Sequence, residues 1–157
     1  MAFTAMLVAL AMVLSYIETL IPVFVAVPGV KIGLTNLVVL VALYYMDAKY
    51  AFGINMIRIL LVAFTFGNAF ALMYSLAGGM LSFAVMLLLK KSGAFGYTGV
   101  SVGGGVAHNT GQILVAMLVL ETSRLIYYLP VLLISGTVAG AVIGIICGEV
   151  LRRLPEA

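Results

Sequence analysis

Apolar residues run along this chain in six blocks, most of them close to the ~20 residues an α-helix needs to cross a bilayer, each ended by a turn-forming stretch. The first extends from Phe3 to Leu20, after which Pro22 and Pro28 hold "IPVFVAVPGVK" in a broken or non-helical connection. The second covers Ile32 to Met46 and ends at "DAK"; the third covers Tyr50 to Phe66 and ends in a tight turn at "GN". The fourth, Ala69 to Leu89, is closed by Lys90, Lys91 and "SGAFGYTG". The fifth runs from Val100 to Leu120. The sixth runs from Pro130 to Leu151, with Pro130 in the first turn, where a missing N–H leaves no bond unmade. The pattern predicts an all-α integral membrane protein, one transmembrane domain over residues 1–157 with six transmembrane helices. The second and third blocks are short for a hydrocarbon core of ~30 Å.

Composition agrees: 65% of the 157 residues are hydrophobic and 8% charged, with a mean hydropathy of +1.29. So little chain lies outside the bilayer that a separate soluble catalytic domain is excluded. The net charge of +3 is small and scattered, which argues against a nucleic-acid partner. Cys147 is the only cysteine, so neither an intrachain disulfide nor a cysteine-based zinc site is available, and it reads as a small buried apolar residue. Residues 1–20 lack a basic n-region and a small-x-small cleavage site, and read as the first span rather than a signal peptide. With a cytoplasmic N-terminus, Lys49, Lys90, Lys91, Arg152 and Arg153 fall inside and only Lys31 and Arg124 outside, the bias expected of a multi-pass membrane protein with both termini cytoplasmic.

Polar residues inside the spans carry the functional information. At about 100° per residue, Ser101, Gly104, His108, Gly111 and Gln112 share one face of the fifth helix, with Asn109 at its border. Ala51, Asn55, Arg58 and Thr65 share a face of the third. Arg58 lies near mid-span, where an arginine costs about 2.5–3.5 kcal/mol on insertion scales, so it must face protein or water. These groups predict a polar cavity open to the outside, rimmed by Glu18 and Lys31 and lined by Asn36, Arg58, His108 and Gln112. Gly104 and Gly111 would make room in it, Asn109 would help orient polar atoms, and the loop from Ile21 to Lys31 would close over a ligand. The structural alternatives are a buried Glu18–Arg58 pair, an interfacial anchor at Lys31, and interhelical hydrogen bonds from His108, Asn109 and Gln112.

Small residues form a second pattern. Gly136, Gly140, Gly144 and Gly148 recur every fourth residue in the sixth helix, and Ala71, Ser75, Gly78, Gly79 and Ser82 line one face of the fourth. Such faces let helix backbones approach closely where hydrophobicity cannot drive association, so they are expected to serve internal packing. Ala5 and Ala9 make a shorter pair in the first helix.

The succession "KIGLTNLVVLVALYY", "INMIRILL", "LMYSLAGGMLSFAVMLLLKK", "GVSVGGGVAHNTGQILVA" and "YLPVLLISGTVAGAVIGI" resembles the heptaprenyl diphosphate synthase component I family, also called the Gx transporter family, over nearly the whole chain. That family is similar in fold to the substrate-binding S components of energy-coupling factor (ECF) vitamin transporters. The resemblance implies an S-component-like bundle in a bacterial cell membrane that binds a small molecule from outside. It also implies docking on an ECF transmembrane coupling subunit served by ATPase subunits, with Ala5 and Ala9 at the docking position. No basic residue precedes the first helix, a departure from the family that reads as a shortened N-terminus.

The synthase name sits uneasily with the residues. Prenyl diphosphate synthases hold magnesium diphosphate through clustered aspartates, whose oxygens suit a hard cation, and this chain has a single aspartate, Asp47. It also lacks a P-loop, so ATP hydrolysis would fall to a partner. The expectation is a non-enzymatic chain without cofactor or metal. The leading reading is a substrate-binding transport subunit for a small, partly polar, anionic metabolite of flavin or isoprenoid and quinone chemistry. The alternative is a non-catalytic accessory subunit of prenyl diphosphate synthesis.

Overall fold

A computed structural model describes residues 2–20 and 33–155, and every regular element within them is helical. Lys31 and the expected closing loop from Ile21 to Lys31 lie outside the described residues. The order is α1 (Ala2–Leu20), α2 (Leu34–Tyr45), α3 (Ala48–Thr65), α4 (Ala69–Ser92), α5 (Tyr97–Val119), a short 3-10 helix (Ser123–Tyr128) and α6 (Leu129–Arg153). Among the described residues, five helical segments are long and apolar enough to cross a membrane. The exception is α2, whose 12 residues reach only about 18 Å.

That short helix is the centre of the bundle. It is apolar nearly all round, the composition of a helix that meets protein on every side, and Val38, Val39, Leu40, Ala42 and Leu43 are almost fully buried. A buried helix must also satisfy its polar ends. Glu18 of α1 accepts the Leu34 backbone N–H at 2.7 Å, placing a carboxylate at the N-terminus of α2. Lys90 of α4 donates to the Leu43 carbonyl at 2.5 Å and lies 4.9 Å above the Tyr44 ring, placing a cation at the C-terminus. Each charge opposes the helix dipole at its own end. Gly33 enters α2 with φ +82°, a left-handed turn that glycine adopts without a side-chain penalty.

Around α2 the chain runs up and down. At one end the Phe3 and Tyr45 rings meet at 5.3 Å and the Tyr44 and Tyr97 rings at 4.6 Å, with Gly148 of α6 beside Tyr97. Both ends of the described chain therefore share one end of the bundle with Lys90, while Tyr16 and Phe66 meet at the other. Most boundaries fall within two residues of those expected of the sequence, and two differ by three. Lys90 and Lys91 continue α4 to Ser92 until Gly93, at φ +68°, stops it, and α5 begins three residues early, at Tyr97. Orientation is testable in a Cys147→Ala background: a cysteine at Arg124, exposed on the 3-10 helix, is expected to react with an impermeant maleimide outside intact cells, and one at exposed Ser92 to be spared. Reversed labelling would invert the topology.

The most extensive packing joins α5 to α4 on one side and to α6 on the other. On the α6 side, a β-carbon at Gly140 would stand 2.7 Å from Val102 Cα, one at Gly144 2.5 Å from Thr98 Cα, and one at Gly136 2.9 Å from the Gly105 carbonyl oxygen. On the α4 side, a β-carbon at Gly111 would stand 2.8 Å from the Ala77 carbonyl oxygen and one at Gly104 2.6 Å from Met86 Cγ. The room that Gly104 and Gly111 were expected to lend a cavity is thus taken by α4. Without side chains of their own, they admit the neighbouring helix instead.

Candidate functional site

Two groups of buried polar residues stand out. The first lies where α1, α2, α3 and α4 meet. Arg58 of α3 is buried, donating from one terminal nitrogen to Thr35 Oγ1 at 2.8 Å and from the other to Asn55 Oδ1 at 2.7 Å. Asn55 in turn donates to the Gly79 carbonyl at 3.1 Å. The Glu18 carboxylate acts on the guanidinium through its charge while accepting the α2 N–H, so one acidic residue serves both. The network ties four helices together, and a planar fork with several donors suits that task better than an ammonium.

The second group lines a cavity of about 530 Å³ between the N-terminal part of α2, the middle of α5 and the length of α6, within the usual size of small-molecule sites. Its walls are chiefly apolar: Leu37 of α2 with Val131, Val138, Val142 and Ile146 of α6. Several of these also belong to the exposed flank of the bundle; Ile134 is 67% exposed and Val138 60%, so the cavity is a groove open sideways toward lipid. Asn36, His108, Asn109 and Ser135 are its polar lining. Asn109 donates to the Leu132 carbonyl at 2.7 Å and, more weakly, to Ser135 Oγ at 3.4 Å, which holds the amide against α6.

Of the residues expected to form one cavity, Asn36, His108 and Asn109 line this groove, whereas Glu18, Arg58 and Gln112 lie outside its described lining. Gln112 and His108 both pass over Gly78 of α4, where a β-carbon would meet Gln112 Cγ at 2.9 Å and His108 Cε1 at 3.1 Å. Gly136, Gly140, Gly144 and Gly148 all face α5, and Ala5 and Ala9 lie on the exposed side of α1. Sequence reasoning missed Thr35, Ser135 and the Leu132 carbonyl. Thr35 sits next to Asn36 and Ser135 next to Gly136, but nothing local marks either as a partner of α3 or α5. Among the described residues no three His, Cys, Asp or Glu gather as metal ligands.

Comparison with known proteins adds one match. The family model described as heptaprenyl diphosphate synthase component I matches residues 7–150, most of the chain. No curated protein and no solved structure matches it.

Proposed function

Because the chain belongs to the heptaprenyl diphosphate synthase component I family, we propose that it is a non-catalytic membrane subunit of prenyl diphosphate synthesis that receives a prenyl chain sideways from the bilayer. The groove between α2, α5 and α6 carries this reading. Apolar walls open to lipid suit a long hydrocarbon, whose tail can run past Ile134 and Val138 into the membrane, and a few polar groups can orient its head. With Asp47 as the only aspartate, magnesium diphosphate chemistry falls to a partner subunit.

A photoreactive heptaprenyl probe, offered as alcohol and as diphosphate to the protein in lipid nanodiscs, is expected to label α6 between Val131 and Ile146. Val138→Trp, which fills the groove from an exposed position away from the α5 contact, is expected to remove most of that labelling. Labelling confined to other helices would sink the reading.

A second reading, an S-component-like transport subunit, draws support from Arg58, a buried cation whose Nε has no hydrogen-bond partner among the described residues. Its ligand would be a small anionic metabolite and its partners an ECF coupling subunit with ATPase subunits. It requires Arg58 to be dispensable for folding.

A further inference from the structure

The hydrogen-bonding groups left over in the groove specify a head group more narrowly than its shape does. Asn36 is only 7% exposed and lines the groove, yet its side-chain amide makes no hydrogen bond to any described residue. A buried amide costs free energy unless it is bonded, so both its donor and its acceptor call for a partner. Asn109 is half spent. A carbonyl can only accept, so the contact with Leu132 fixes Nδ2 toward α6 and leaves Oδ1 without a donor among the described residues. Ser135 spends its proton on the same Leu132 carbonyl at 3.0 Å.

We propose that the groove selects a neutral, hydroxyl-headed prenyl lipid, an alcohol or a prenylated phenol, whose hydroxyl is held by the amides of Asn36 and Asn109. This rests on the prenyl-groove reading above. A hydroxyl can accept from Asn36 Nδ2 and donate to Asn109 Oδ1, answering two of the three leftover functions where a group that only accepts answers one. A diphosphate only accepts and brings several negative charges, which the Asn36 and Asn109 carbonyl oxygens oppose. No Lys or Arg stands in the described lining to offset them, and the Arg58 fork is engaged with Thr35 and Asn55 outside it. A quinone carbonyl likewise accepts only and leaves Asn109 Oδ1 unanswered. The ligand class is therefore the hydrolysed or phenol-coupled product of prenyl diphosphate, so the reaction that supplies it transfers the prenyl group to water or to a phenol, with loss of a proton from the acceptor, and releases diphosphate before the lipid reaches the groove.

The test is competition against photolabelling in nanodiscs by heptaprenol, heptaprenyl diphosphate, a heptaprenyl quinone and squalene, which has no polar head. Heptaprenol is expected to compete best, about tenfold better than squalene, the worth of one or two net hydrogen bonds. Asn36→Leu keeps the volume and breaks no hydrogen bond among the described residues, so it is expected to erase that preference while squalene competes as before. Val138→Trp is expected to weaken all four. Stronger competition by the diphosphate or the quinone than by the alcohol overturns the head-group assignment and leaves the prenyl groove standing, and an alcohol preference that survives Asn36→Leu removes that amide from it. Labelling that no prenyl compound displaces, or that Val138→Trp leaves unchanged, overturns the prenyl-groove reading as well.

Discussion

Arg58→Gln is expected to destabilise the detergent-solubilised protein by about 3–5 kcal/mol, the usual cost of removing one partner from a buried charged network. The change strips Thr35 and Asn55 of their bonds to the guanidinium and removes the positive charge that Glu18 acts on. Glu18→Gln is expected to cost less, because an amide oxygen can still accept the Leu34 N–H, while leaving Arg58 under-compensated. The double variant should be more stable than the sum of the two losses implies, and the cycle measures that coupling directly. Thermal unfolding followed by circular dichroism gives the four values. If Arg58→Gln unfolds like the parent but loses a co-purifying small anion, Arg58 is a ligand group and the transport reading takes precedence over the accessory-subunit one.

Gly140→Ala is expected to cost about 1–3 kcal/mol, although it adds a single methyl group, because the new carbon meets backbone that cannot step aside. It would lie 2.7 Å from Val102 Cα and 2.8 Å from the Ser101 carbonyl oxygen. Between transmembrane helices close backbone approach is itself a source of association, so separating α5 from α6 loses contacts along the whole seam. Position decides the sign of the same substitution elsewhere. At Gly148 the nearest atom is Cδ2 of the Tyr97 ring at 3.3 Å, a side chain able to shift, so a small effect follows. At Gly53 nothing stands within 4 Å, and alanine should stabilise α3 by about 0.5–1 kcal/mol through its better helix propensity. Equal unfolding temperatures for Gly140→Ala and Gly53→Ala would mean that α5 and α6 do not meet as closely as described.

Most helical blocks were legible because bilayer thickness writes a length and an apolarity into each spanning segment, and because Pro130 and the glycine-containing stretch after Lys91 mark ends in local chemistry. Membership of the family was legible in the "AHNTGQ" and "SLAGG" stretches, and the glycine ladder of α6 in its spacing of four. Periodicity also put Asn55 on one face with Arg58, since that relation lies within a single helix. The partners of these faces were not legible. His108 and Gln112 share a helical face with Gly104 and Gly111, but whether such a face meets water, a ligand or another helix depends on which neighbour the topology supplies, and α4 is the neighbour.

The sequence by itself determined that this chain lives in a membrane as a helical bundle, that it holds a single aspartate, Asp47, and that a few polar residues are buried at a cost. Those properties follow from composition and from periodicities shorter than one helix. Tertiary structure alone decided that α2, too short to span, is the buried axis of the bundle, with Glu18 and Lys90 from other helices satisfying its two ends. It also separated Arg58 from the groove that Asn36, His108 and Asn109 share. A capping charge, a closed network and an unspent amide are relations between atoms from different helices, and no sequence window contains both members of such a pair.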